Sequence, residues 1–246
     1  MTEPAEVVFL LDVDNTLLDN DRFADDLTEE LEQQFGRAER LQYWKIYAEL
    51  RAQTGYADYL GALKQLRAGH DDETGLLKMS AFLLHYPFYE RLYPRALEAI
   101  AHLHQYGTAV ILSDGDIVLQ TRKIQSAGLW DAVEGRVLIY LHKERMLDVI
   151  ERRFPSRHYV MIDDKPKLLS AVKHVLGERL TSVFVRQGHY AAESVGVPID
   201  PAPDVTVDHI GALCDIVLPG FLAVGGSRSE ALHSEGLPAL LARDWP

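Results

Sequence analysis

The sequence predicts an α/β fold: a doubly wound, Rossmann-like parallel sheet interrupted by an inserted all-helical segment. Three observations carry that expectation. Short apolar runs recur along the chain, helical patterns fill most of the intervals between them, and one long interval, 17–93, holds no convincing strand. A run that is apolar without alternation suits a strand buried on both faces. Strands that alternate with helices build a parallel sheet covered on both sides.

The first run is Val7–Leu11, followed by Ala109–Leu112, Val137–Tyr140, Tyr159–Ile162, Thr181–Val185 and a weaker Val205–Val207. Pro94, then Leu97, Ile100 and Leu103, then Gly107, reads as a helix with proline in its first turn and glycine past its end. Ile117–Ala127 before Gly128, Arg145–Arg153, and Pro166–Leu176 before Gly177 read the same way. Within 17–93 the apolar residues fall at helical spacing, as in Leu27, Leu31 and Phe35, or Tyr56, Tyr59, Leu63 and Leu66. Twelve of the chain's 22 aromatics lie there, so the segment reads as a bundle with an aromatic core, part of which can line a pocket against the sheet. The expected organisation is a core domain of 1–16 and 94–218, a helical domain of 17–93, and a tail of 219–246 rich in glycine and proline.

Composition narrows the function. With 25 basic and 37 acidic residues, 246 residues carry a net charge of −12. Such a surface does not suit nucleic acid phosphates or an anionic membrane. A chain of this size buries enough surface to fold without disulfide or metal. The lone cysteine, Cys214, suits a reducing compartment. The N-terminus lacks the basic region of a signal peptide, and no apolar run approaches the ~20 residues that span a bilayer. A cytoplasmic protein with a small-molecule partner is expected; oligomeric state is not legible. The acidity is uneven, because residues 1–36 hold eleven acids against one base, Arg22.

Polar groups track the strand ends. The first strand runs into Asp12-Val13-Asp14-Asn15-Thr16, the second into Ser113-Asp114-Gly115-Asp116, the third toward His142-Lys143, and the fourth into Asp163-Asp164-Lys165-Pro166. Open α/β sheets bind ligands at this end. Each has a plainer reading: Ser113 can cap the helix at Ile117, Asp163 and Asp164 the helix at Pro166, and Lys143 can be a solvated lysine with His142 the fallback cation. Four successive strand ends with such groups favour a shared site.

These residues resemble the four motifs of the haloacid dehalogenase-like hydrolase superfamily, in order, over residues 7–215 or so. Asp12-Val13-Asp14-Asn15-Thr16 resembles its nucleophile loop, Ser113 its second motif, Lys143 its third, and Asp163-Asp164 the double-aspartate form of its fourth. The helical insertion is similar to the cap that many members place above the site. The resemblance implies Asp12 as nucleophile and Asp14 as acid and base. It also implies Mg²⁺ on Asp12, the Asp14 carbonyl and Asp164, with Asp163 direct or through water. Ser113 with the backbone N–H groups of Asp114 and Gly115 would hold phosphate oxygens, and Lys143 would offset charge on Asp12 and the phosphoryl group. This chemistry is coherent: an attacking carboxylate splits hydrolysis into two displacements, and Mg²⁺ relieves repulsion between carboxylates and phosphate. The side chains of Asp114 and Asp116 have no evident part in it.

The implied activity is a Mg²⁺-dependent phosphatase acting on a small phosphorylated metabolite. Alternatives within the superfamily are a haloacid dehalogenase, which needs neither metal nor Asp14, a phosphomutase, and a phosphonate hydrolase using an imine-forming lysine such as Lys45, Lys64 or Lys78. A catalytically inactive binding module is the non-enzymatic alternative. Arg51 and Tyr56, at the break between two helices, are candidate substrate contacts. Gln187-Gly188-His189-Tyr190, after the fifth strand, is a candidate pocket edge.

Overall fold

A computed structural model describes residues 5–69 and 73–216. The tail assigned to 219–246 lies outside the described residues. The chain runs β1 (Ala5–Leu11), α1 (Asn20–Phe35), α2 (Arg37–Thr54), α3 (Tyr59–Arg67), α4 (Glu73–His85), α5 (Ala96–Leu103), β2 (Thr108–Asp114), α6 (Ile117–Ser126) and α7 (Leu129–Ala132). It continues with β3 (Val137–Tyr140), α8 (Leu147–Arg153), β4 (Ser156–Asp163), α9 (Pro166–Leu176), β5 (Leu180–Val185), α10 (Gly188–Glu193) and β6 (Val205–Val207). Among the described residues no helix is long and apolar enough to cross a membrane.

All six strands are parallel in one sheet, in the order β3-β2-β1-β4-β5-β6. Central β1 sets Leu10 opposite Val110 of β2 and Met161 of β4. Strand order reverses about β1, which opens a crevice beyond the carboxyl ends of β1, β2 and β4. Alternate residues along β1 face opposite layers. Phe9 and Leu11 join Ile111, Val160, Ile100 and Ile124 on one side, while Val8 and Leu10 join Leu112, Ile150, Leu169 and Val172 on the other. Burial on both faces is why these runs are unbroken in the sequence, and each such side chain contributes about 1.5–3 kcal/mol.

Helices α1 to α4 and the turn after them bury Phe23, Leu27, Leu31, Tyr43, Tyr59, Met79, Leu83 and Phe88 in the same cluster as the Phe9 face. Phe23 packs edge-on against Tyr59 and Tyr86 at 5.3 and 4.9 Å. The two connections to the sheet run side by side, with Tyr93 N–H donating to the Leu17 carbonyl at 3.0 Å and Leu18 bridged to Leu92.

Two local expectations change. Pro94 stands ahead of α5 instead of within its first turn, because Arg95 adopts a left-handed conformation at φ 64° and turns the chain first. The segment after β3 opens with a short 3₁₀ turn, Lys143–Arg145, before α8. Asp26, one of the acids clustered before residue 36, meets Arg91 at 2.7 Å and accepts from the Tyr86 hydroxyl. The short α7 and α10 leave no pattern in the sequence, since four and six residues show too little of a 3.6-residue period to read.

Candidate active site

Residues Asp12 to Thr16 leave β1 inside the crevice. Asp12 is 3% exposed, and its N–H still donates to Ile162, so the strand ladder holds it in place. Lys143 Nζ lies 2.5 Å from Asp12 Oδ1 and 2.7 Å from Asp163 Oδ2, joining the ends of β1, β3 and β4 through one buried cation. Thr16 Oγ1 approaches Asp12 Oδ2 at 3.3 Å. Asn15 makes the tight loop possible: at φ 61° its Oδ1 accepts from the Asn20 and Asp21 N–H groups, opening α1.

Carboxylate oxygens of Asp12, Asp163 and Asp164 lie within 4.8 Å of one another, all buried. Asp163 Oδ1 accepts from Lys165 N–H, whereas neither oxygen of Asp164 has a hydrogen-bond partner. A buried carboxylate left so costs free energy unless a cation meets it. This all-oxygen donor set suits a hard divalent cation such as Mg²⁺. Burial, reinforced by Asp163 and Asp12, pushes the Asp164 carboxyl up to about 9. Burial also raises Asp163, against the opposing pull of Lys143. Lys143 itself is held above the usual lysine range, because Asp12 and Asp163 outweigh the cost of its burial.

Ser113 is 1% exposed and does not cap α6; that role falls to Asp116, which accepts from Val118 and Leu119 N–H at 3.0 and 2.8 Å. Asp114 Oδ1 accepts from Lys143 N–H at 2.7 Å, which orients the lysine loop. Burial first, opposed by Lys143, pushes the Asp114 carboxyl up to about 6. Both acids thus have structural roles. One expectation is corrected: the Gly115 N–H donates to the Tyr140 carbonyl at 2.9 Å, so it is taken by the chain and not offered to a phosphate.

Asp14 introduces two residues that the motifs do not contain. Gln120 Nε2 donates to Ser113 Oγ at 2.7 Å and reaches Asp14 Oδ2 at 3.3 Å, bringing the ends of β1 and β2 together. Lys123 Nζ contacts both Asp14 oxygens at 2.9 and 3.0 Å and Asn20 Oδ1 at 2.6 Å. It stands 5.3, 5.4 and 5.9 Å from the ring centroids of Phe23, Tyr59 and Phe88. A signal for both existed in the sequence: Gln120 and Lys123 share one helix face with buried Leu119 and Ile124.

The candidates outside the motifs divide. Arg51 Cζ and Lys165 Nζ lie 5.6 and 5.0 Å from the centroid of the Tyr190 ring. His189 Nδ1 lies 2.6 Å from Asp21 Oδ1, and Gln187 holds the Thr16 carbonyl at 3.2 Å, so the segment after β5 reaches the loop that follows β1. Tyr56 is partly buried near Asp58 and Asp116. His142 lies against Gly55, where an added Cβ would stand 2.3 Å from its Cε1. Lys45, Lys64 and Lys78 are exposed.

A protein-family model described as haloacid dehalogenase-like hydrolase matches residues 7–175. A haloacid dehalogenase-like hydrolase from Burkholderia xenovorans is 52% identical over 87% of this chain and 100% of its own, with a TM-score of 0.80. L-2-haloacid dehalogenase from Xanthobacter autotrophicus is 20% identical, with a TM-score of 0.54 over 85% of this chain and 97% of its own. A HAD-hydrolase from Bacillus subtilis bound to magnesium is 16% identical, with a TM-score of 0.55 over 86% and 97%. At these last identities the likeness is one of fold. No curated protein matches the chain.

Proposed function

The chain belongs to the haloacid dehalogenase-like hydrolase family, and we propose that within it the protein is a Mg²⁺-dependent phosphatase of a small phosphorylated metabolite. The observation that carries this reading is the Asp163–Asp164 pair beside Asp12, with both Asp164 oxygens buried and unpartnered. Displacement of halide from carbon uses neither a metal nor Asp14, so the pair and its neighbours would have no task there. The exposure of Lys45, Lys64 and Lys78 weighs against imine chemistry on the insertion.

Asp12, Asp164 and the Asp14 carbonyl would hold Mg²⁺, with Asp163 direct or through water; when bound it supplies charge neutralisation at the phosphoryl oxygens. Lys143, in contact with Asp12 Oδ1, aligns that carboxylate for attack on phosphorus and offsets the charge that gathers there. Ser113 Oγ accepts from Gln120, which leaves the serine hydrogen free to donate to a phosphoryl oxygen. As the P–O bond to the leaving group breaks, Asp14 gives that oxygen a proton. Asp14 then takes a proton from water, whose oxygen attacks the aspartyl-phosphate; phosphate leaves and the Asp12 carboxylate is restored. The helices between β1 and β2, which bring Asn20, Phe23 and Tyr59 to Lys123, would serve as the cap that excludes water.

A panel of phosphomonoesters assayed with and without Mg²⁺ tests the reading. Phosphate release should require the metal, fall by roughly a thousandfold or more in Asp12→Asn, and fall by about 10²–10⁴ in Asp14→Asn. Metal-independent release, or release that survives Asp12→Asn, would overturn it. Turnover of a 2-haloacid but of no phosphoester would favour the dehalogenase.

A further inference from the structure

Two cations, Arg51 and Lys165, make no direct ion pair among the described residues, although, against the cost of its burial, Asp12, Asp163 and Asp164 favour the charge on Lys165 from longer range. Lys143 is engaged by Asp12 and Asp163, and Lys123 by Asp14. Arg51 lies in the last turn of α2 and Lys165 directly after Asp164. Both are held instead against the ring of Tyr190, at 5.6 and 5.0 Å from its centroid. No more than the sum of those distances separates them. The Tyr47 hydroxyl lies within electrostatic reach of Arg51, Lys165 and Asp14 at once, so all three charges stand around one side chain.

Contact with an aromatic face positions a cation without supplying a formal counter-charge. The N–H donors of the guanidinium and the ammonium stay available, and the guanidinium fork matches a carboxylate or a phosphate. The two charges also come from different parts of the molecule, Arg51 from the helical insertion and Lys165 with Tyr190 from the sheet domain. An anion between them would join the two. Asp14 marks the direction, since it is the group assigned to protonate the leaving oxygen.

We propose that Arg51 and Lys165, seated on Tyr190, form a second anion site, and that the substrate is a phosphomonoester whose leaving group carries another negative charge, a carboxylate or a second phosphate. The proposal rests on the phosphatase reading and names its substrate class. The bridging anion would favour the seated position of the insertion, so the same charge that selects the substrate helps to enclose it.

The test compares esters of matched shape: phospholactate against isopropyl phosphate for the carboxylate, and ethylene glycol bisphosphate against ethyl phosphate for the second phosphate. At least one charged ester should exceed its neutral counterpart in kcat/KM by about tenfold or more, as charge-assisted hydrogen bonds allow. Arg51→Gln should reduce that ratio to roughly threefold or less, chiefly through KM, and Arg51→Lys should restore part of it. Calorimetric titration of Asp12→Asn with Mg²⁺ and each ester reads the preference without turnover, before and after adding Arg51→Gln. Equal handling of charged and neutral esters, or a preference that survives Arg51→Gln, would overturn the anion site while leaving the phosphatase intact. Failure to release phosphate from any ester would defeat the phosphatase reading, and the calorimetric preference would still decide the anion site.

Discussion

Lys123 has 1% of its side chain exposed and must have its charge met where it stands. Asp14, Asn20 and three aromatic rings do so, and the lysine in turn fixes the carboxylate assigned to acid–base work. Lys123→Met leaves Asp14 without its cation. Loss of about 2–4 kcal/mol is expected, seen as a lower denaturation midpoint at unchanged slope, with kcat falling more than KM rises. Asp114 makes a different prediction. Its folded carboxyl stands at about 6 against an ordinary 3.8, because burial disfavours the charge. The protonated form is therefore favoured by folding, and stability is lost as pH rises from about 4 through 6. Asp114→Asn keeps an acceptor for Lys143 N–H and removes that loss. It should flatten the stability–pH profile and gain up to roughly 3 kcal/mol at pH 7 in thermal denaturation. The acid cluster near the N-terminus also resolves at this scale: Asp12 and Asp14 lie in the site, Asp19 caps α1, Asp21 meets His189 and Asp26 meets Arg91.

At the scale of elements, the strand ends were legible because an unbroken apolar run that stops at a carboxylate or serine marks both the strand and its ligand end. Asp12, Ser113, Lys143 and Asp163–Asp164 could be read that way. Gln120 and Lys123 showed only as polar residues on a buried helix face; their role stayed hidden, since Asp14, Ser113 and Asn20 come from other parts of the chain and only the packed helix brings them near. The turn between α2 and α3 shows the same limit. Gly55 adopts φ 82° and closes on His142, a contact that neither residue announces. Gly55→Ala should strain the turn and push it off the imidazole, at about 1–2 kcal/mol. His142→Ala should relieve the collision but not the backbone strain. A double-mutant cycle read by thermal denaturation should thus give a coupling that favours the double variant, and additive effects would argue against the contact.

For the whole molecule, the class of sheet followed from the spacing of the runs, and the extent of the helical insertion from the missing strand. What could not be read was how insertion and sheet meet, because side chains from both fill one apolar cluster. The carboxylates at the ends of β1 and β4 also tie function to global stability. A cation binding them only in the folded state stabilises by about 2.7 kcal/mol at a hundredfold excess over Kd, which is some 5–10 °C in Tm for a domain of this size. Mg²⁺ should raise Tm in this way and a chelator should reverse it. Asp164→Asn should melt higher than the metal-free protein and gain little from Mg²⁺, as expected when a buried, unpartnered carboxylate is made neutral.

The seat of Lys123 has a consequence for anyone building chimaeras from related hydrolases. Its ring contacts, Phe23, Tyr59 and Phe88, and its Asn20 contact belong to the segment that would be exchanged, while Lys123 and Asp14 belong to the recipient. A graft of residues 17–93 from a donor that lacks this pocket would strand a lysine in apolar surroundings and release the acid beneath it. Substrate range and catalytic competence would then travel as one inheritance, and only grafts that carry the ring pocket with them should remain active.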